Sequence, residues 1–331
     1  MNLRAPDRIT ALGGGTGLPA LLSGLRERVI DGKLSSLTAV VAMTDDGGSS
    51  GRLRKTRGMP PPGDIRNCLV SLAVDRDLVT ALLQYRYAGS EELGGHTVGN
   101  LILAALAEQT GSFLKAVEVS SRVLRTAGRI LPSTLEDVVL EAVLEDGSRI
   151  RGETKIGSCE RRIRRISIDP ESVQATPGVV EAIERADMVV LGPGSLYTSI
   201  VPHLAVRETA DALRRTSALR LLVANLVCEK GESAGLDLID HLDVLEEHAG
   251  GPVIDAVLVN SGAIEADVLK RYEAEGTYPL MWPEDRKRNV RVIQRNLLAR
   301  NRKLRHDPEA TVEGLLTAWR ATRRRPDARS A

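Results

Sequence analysis

Ile9-Thr10-Ala11-Leu12-Gly13-Gly14-Gly15-Thr16-Gly17-Leu18-Pro19-Ala20-Leu21-Leu22 is the stretch from which the fold of this chain can be read. Residues 9–12 are a short apolar run of strand type. The residues after the glycines open a helix, with Leu18, Leu21, Leu22, Leu25 and Val29 at i, i+3, i+4, i+7 spacing. Pro19 falls in the first turn, where its missing N–H does no harm. Glycines between strand and helix let backbone N–H groups approach a phosphate, and the helix N-terminus adds partial positive charge. The loop is not the dinucleotide fingerprint, because the third glycine of G-x-G-x-x-G would fall at Leu18. No Gly-Lys-Ser/Thr follows, which excludes a Walker A loop.

Working outward, the same device recurs. Residues 38–43 lead into Asp45-Asp46-Gly47-Gly48-Ser49-Ser50-Gly51, and Met188 to Leu191 lead into Gly192-Pro193-Gly194-Ser195. Residues 219–225 and 256–260 are continuous and apolar, as parallel strands covered on both faces tend to be. Alternation of such runs with helical patterns predicts a doubly wound α/β fold with a mainly parallel sheet. One stretch breaks the pattern: residues 138–144 and 149–156 flank Asp146-Gly147 and read as a β-hairpin, with Ile163, Ile166 and Ile168 as a further extended run. Residues 136–170 are therefore expected to be a small antiparallel insertion, and 320–331 a flexible basic tail.

Composition narrows the function classes. Apolar residues make up 42% of the 331 but aromatics only 2%, with Phe113 the sole Phe, so the core must be aliphatic. Lys plus Arg (45) and Asp plus Glu (44) nearly cancel, so no nucleic-acid or membrane partner is expected. Cys68, Cys159 and Cys228 form no C-x-x-C pair, and residues 1–8 lack the apolar core of a signal peptide. A cytoplasmic protein is expected.

The candidate site residues follow from the loops. Gly14, Gly15, Thr16 and Gly17 form a phosphate cradle, and Gly194 and Ser195 form a second. Asp45 is placed to bind a ribose hydroxyl, or Mg²⁺ together with phosphate oxygens. Adjacent carboxylates on an extended segment point opposite ways, so one of Asp45 and Asp46 is expected in the cleft and the other in a turn. Ser49 and Ser50 are phosphate donors, with Arg52 and Arg54 close enough to neutralise it. Asp64 suits an N-cap for the helix carrying Ile65 and Leu69, while Arg66 and Asn67 in its first turn point to a ligand. His96 and Asn100 open another helix. Asn225 and Asn260 end apolar strands, where a polar side chain faces a ligand more often than the core. His241, between Asp240 and Asp243, reads either as a helix-surface residue or as a base raised by its neighbours. No metal or cofactor is required by these patterns.

Taken together, five strings resemble the gluconeogenesis factor family, the YvcK-type proteins within the CofD-like superfamily. They are GGGTGL from Gly13, DDGGSSGRLR from Asp45, PPPGDIRN from Pro60, GHTVGNL from Gly95 and LGPGSLYTSI from Leu191. With RYEAEG from Arg271 and RHD from Arg305, the resemblance covers about residues 9–318. It implies one Rossmann-like three-layer α/β/α domain over residues 1–331. It also implies a cytoplasmic nucleotide-sugar-binding protein of the UDP-N-acetylglucosamine type, linking carbon metabolism to cell-wall synthesis and cell shape. A protein partner in that process and a homo-oligomer are expected with it. Tyr272 and Arg305 match the family's Tyr and Arg that contact the nucleotide-sugar, and an arginine paired to a diphosphate makes physical sense. The chain departs from the family at 225–232, where Asn225, Gly231 and Glu232 are kept but the residues between them differ. The alternative is a Mg²⁺-dependent phosphotransferase resembling the 2-phospho-L-lactate transferases, with Asp45, Asp46 and Asp64 as its catalytic acids. An NAD(P)-dependent dehydrogenase fits worst, because the first acid lies about 30 residues past the glycines where about 20 is usual.

Overall fold

The computed structural model describes residues 5–89, 92–300 and 303–323. Seven strands form one parallel sheet: β1 (Arg8–Gly13), β2 (Ser36–Val41), β3 (Arg129–Pro132), β7 (Met188–Leu191), β8 (Leu219–Val223), β9 (Ala256–Asn260) and β10 (Arg291–Arg295). Their order is β10-β9-β8-β7-β1-β2-β3. A second, antiparallel sheet, β5-β4-β6, is built from β4 (Val139–Leu144), β5 (Arg149–Arg151) and β6 (Ile163–Asp169). The doubly wound α/β expectation and the antiparallel insertion are both observed.

The aliphatic core divides into one cluster on each face of the parallel sheet. Ala11, Val41, Val190 and Leu258 face one way; Leu12, Val40, Val189 and Val257 face the other. Both sets are at most 1% exposed, which is why the strands read as unbroken apolar runs. The helices between β1 and β4 are α1 (Gly17–Ile30), α2 (Gly48–Arg57), α3 (Gly63–Leu72), α4 (Arg76–Leu83), α5 (Val98–Thr110) and α6 (Phe113–Val123). The helix Pro308–Arg323 crosses α1 at Gly24, where a Cβ would lie 2.6 Å from the carbonyl oxygen of Pro308.

Three details differ from the expectations. The second half of the hairpin is shorter: the chain turns at Gly152, φ 102°, and residues 153–157 form a short helix, α7 (Glu153–Gly157). Asp46 accepts hydrogen bonds from the Thr154 N–H (2.9 Å) and hydroxyl (2.6 Å), which holds that turn in place. Strands β3 and β10 were not anticipated, since β3 is only four residues long and β10 has just two apolar residues between Arg291 and Gln294. Residues 320–323, read as tail, continue the last helix. Residues 324–331 lie outside the described residues.

Candidate functional site

In the parallel sheet the chain winds outward in both directions from the β1–β7 pair: β2 lies beside β1, and β8 beside β7. Loops leaving the carboxyl ends of β1 and β7 therefore diverge, and a crevice opens between them. Both are glycine loops. They touch so closely that a Cβ on Gly17 would sit 2.1 Å from the Pro193 carbonyl oxygen. Gly194 N–H donates to Asn225 Oδ1 at 3.1 Å, which ties the β7 loop to the end of β8.

A cavity of about 730 Å³ lies at this point. Gly14, Gly15, Thr16 and Gly17 line it from β1, Gly194 and Ser195 from β7, and Asn225 from β8. Arg66 and Asn67 reach it from α3, and Arg305 from the loop after β10. These candidates are brought together as the sequence implies.

The remaining candidates are placed behind the cavity wall. Asp64 is not the N-cap; α3 starts at Gly63, and the Asp64 carboxylate accepts from the Gly15 N–H at 2.6 Å, bracing the phosphate cradle from beneath. Burial raises its pKa to about 6, against the lowering effect of that N–H. Asp45 accepts from its own Gly47 N–H at 2.9 Å, and Asp46 anchors α7. The two acids do point apart, but neither lines the cavity. Ser49 lies on the buried face of α2, bonded to His96 Nδ1 (2.9 Å) and to the Asn100 amide (3.0 Å). Those three residues join α2 to α5. Ser50 accepts from Gly63 N–H at 3.1 Å, Arg52 donates to the Gly94 carbonyl at 2.6 Å, and Arg54 binds Asp137 at 2.6 Å.

Asn260 is likewise structural. Its Oδ1 accepts from the N–H groups of Gly262 and Leu297, each at 3.0 Å, and its amide donates to Gly262 O. Tyr272 acts through its neighbour: its hydroxyl accepts from the Leu304 N–H at 3.2 Å and so holds the loop carrying Arg305. His241 is neither on the surface nor raised; it is 4% exposed, and burial lowers its pKa.

Several site residues were not singled out from the sequence, although Ser199 and His306 fall within the LGPGSLYTSI and RHD strings. Arg76, Gln84 and Arg86 line the cavity from α4 and the residues just after it, Ser199 lies against Gly14 and Gly15, and Glu229 and His306 also line it. Behind the β7 loop, Glu232 accepts from Thr198 Oγ1 at 2.5 Å and Tyr197 N–H at 3.2 Å. Burial, followed by Glu229, raises its pKa to about 7. Glu153 of α7 accepts from Thr44 Oγ1 at 2.5 Å, and burial raises it to about 8. Among the described residues, no group of three or more His, Cys, Asp or Glu side chains is placed to hold a metal ion.

Comparison with known proteins places this geometry. The family described as 2-phospho-L-lactate transferase CofD matches residues 9–298. The gluconeogenesis factor of Bacillus subtilis is 39% identical over 91% of this chain and 94% of its own length. That of Listeria monocytogenes is 40% identical over 81% and 82%. A crystal structure of a UPF0052 family protein from Bacillus halodurans superposes with a TM-score of 0.88 at 35% identity, covering 94% of this chain and 99% of that one. No described helix is long and apolar enough to cross a membrane. With the match spanning the glycine cradles, the α3 turn and the strands that carry them, the chain belongs to the gluconeogenesis factor family of CofD-like proteins.

Proposed function

We propose that the chain binds a nucleotide-sugar of the UDP-N-acetylglucosamine type in the crevice and acts in the cytoplasm as a regulator linking carbon metabolism to cell-wall synthesis and cell shape. The observation that carries this reading is the meeting of two glycine loops where the strand order reverses, with arginines in the same cavity. Backbone N–H groups and guanidinium groups are the donors a diphosphate requires. A volume of about 730 Å³ lies within the range that encloses a ligand of this size. The Leu304–Arg305 loop, held by Tyr272, supports the same reading, as does the name shared by the relatives. Ligand occupancy would be relayed to a partner in cell-wall synthesis or between copies of the chain. Isothermal calorimetry with UDP-N-acetylglucosamine tests it, and absence of binding at millimolar ligand ends it.

The transferase alternative draws on the family's description and on Asp64, directly behind the cradle, whose carboxyl pKa is raised by burial to about 6. Release of UMP from UDP-N-acetylglucosamine in the presence of Mg²⁺, abolished in Asp64→Asn, would favour turnover over recognition. Intact ligand after prolonged incubation would favour recognition.

A further inference from the structure

Three arginines on the β2 side of the cavity make no close ion pair among the described residues. Arg66 lies in α3, Arg76 opens α4 and Arg86 follows its end, and all three line the cavity that holds the glycine cradle. Arg151, Arg220, Arg286 and Arg288 each sit in an ion pair. Arg66, Arg76 and Arg86 have none among the described residues.

Neutral groups aim at least two of the guanidinium groups. Arg66 donates to Thr97 Oγ1 (2.6 Å), Asn100 Oδ1 (3.0 Å) and Asn67 Oδ1 (2.8 Å), while its Nε is buried with no partner. Arg86 donates to the Gly95 carbonyl at 2.5 Å. The half-buried Arg66 is thus fixed in direction, and the exposed Arg76 and Arg86 add positive charge at the mouth of the same concave cavity, where an anion is attracted. Burial and then Arg86 lower the pKa of Arg66, while Asp64 and Asp45 act in the opposite direction.

Topology separates this wall from the rest of the site. Helices α3 and α4 follow β2, whereas Asn225 and Glu229 follow β8, three strand positions away across the sheet. At about 4.8 Å per strand that is about 14 Å, the span of a nucleotide-sugar. Glu229 is the one carboxyl among the residues lining this cavity, and it lies on the far side.

We propose that Arg66, Arg76 and Arg86 form the phosphate wall of the cleft, holding a diphosphate between themselves and Gly14–Gly17, with the ligand's uncharged hydroxyl-bearing part directed toward Glu229. This orientation rests on the nucleotide-sugar reading; the anion wall itself does not. Arg305, on the loop after β10, meets the ligand from the opposite side.

The test measures binding of inorganic pyrophosphate and of UDP-N-acetylglucosamine by calorimetry to the native protein, to Arg76→Gln, Arg86→Gln and the double variant. Arg207→Gln, whose side chain is 92% exposed outside the cleft, controls for net charge. Both target arginines are surface-exposed, so the variants should fold, and thermal melts confirm that they do. The expected result is at least a tenfold loss for both ligands in the double variant, with a shallower dependence of log Kd on log salt, and native-like binding by Arg207→Gln. Pyrophosphate bound by the native protein and lost in the double variant, with no UDP-N-acetylglucosamine binding at all, upholds the wall while removing the nucleotide-sugar reading. Equal binding by native and double-variant proteins overturns the wall, and so does a native protein that binds neither probe at millimolar concentration.

Discussion

Replacing Glu153 with glutamine should stabilise this protein at alkaline pH and leave it unchanged at acid pH. Glu153 as a whole residue is only half-buried, yet its carboxyl reaches inward to Thr44, which is 2% exposed, and accepts from Thr44 Oγ1 at 2.5 Å. Burial raises its pKa from 4.5 to about 8, with Asp45, Asp64 and Glu232 adding in the same direction. Below pH 4.5 the group is protonated in both folded and unfolded chains. Between 4.5 and about 8 the folded chain keeps a proton that the unfolded chain gives up, so the stability present at low pH is lost as pH rises through about 8. At about 1.4 kcal/mol per pH unit, the interval corresponds to about 5 kcal/mol. Water reaching the exposed part of the residue screens some of that, leaving about 2–4 kcal/mol.

A glutamine oxygen can still accept from Thr44 and carries no charge at any pH. Urea unfolding of native and Glu153→Gln proteins should therefore give matching midpoints at pH 5 and a higher midpoint for the variant at pH 8.5. A variant equally or less stable than the native protein at pH 8.5 would refute the reasoning, because the carboxylate would then be stabilising where it sits.

Gly17→Ala should cost about 1–3 kcal/mol and lower UDP-N-acetylglucosamine affinity at least tenfold, since its Cβ would meet the Pro193 carbonyl at 2.1 Å and push the two glycine loops apart; calorimetry and urea midpoints measure both. Tyr272→Phe removes the acceptor of the Leu304 N–H and should weaken ligand binding about fivefold, matching about 1 kcal/mol for one hydrogen bond, with little change in melting temperature. Gly24→Ala should destabilise by about 1–3 kcal/mol, because its Cβ would lie 2.6 Å from the Pro308 carbonyl and separate α1 from the last helix. A native-like urea midpoint would show that this helix crossing gives way without cost.

The parallel sheet was legible because its strands are buried on both faces, which leaves no polar residue to interrupt the apolar run in Val40-Val41 or Val189-Val190. The glycine cradles were legible because close backbone approach admits no side chain: Gly17 faces Pro193 and Gly14 faces Asp64. The arginine wall had no such signature. Arg76 and Arg86 lie on and just after a surface helix, where a solvated charge is the ordinary reading, and only the path of the chain from β2 carries them to the cavity. Ser49 and Asn100 misled for the converse reason. Hydroxyl and amide groups that could serve a phosphate serve one another once α2 and α5 pack together.

That displacement bears on function more than any single contact. The aspartate pair, the most conspicuous acids of the chain, serves as scaffold: Asp45 holds its own turn and Asp46 the α7 segment. Asp64 and Glu232 are similarly turned inward, each accepting backbone N–H groups of the loops that shape the cavity. Each of these acids commits one carboxylate oxygen to a neighbouring loop, and of Asp45, Asp46 and Asp64 only Asp64 holds the glycine cradle itself, through the Gly15 N–H. On the nucleotide-sugar reading the donors are the side chains of Arg66, Arg76 and Arg86 together with the cradle N–H groups other than that of Gly15, which Asp64 already holds. On that reading the acids shape the cleft while the arginines meet the ligand, and Asp64→Asn separates the two proposals by whether ligand is only bound or also turned over.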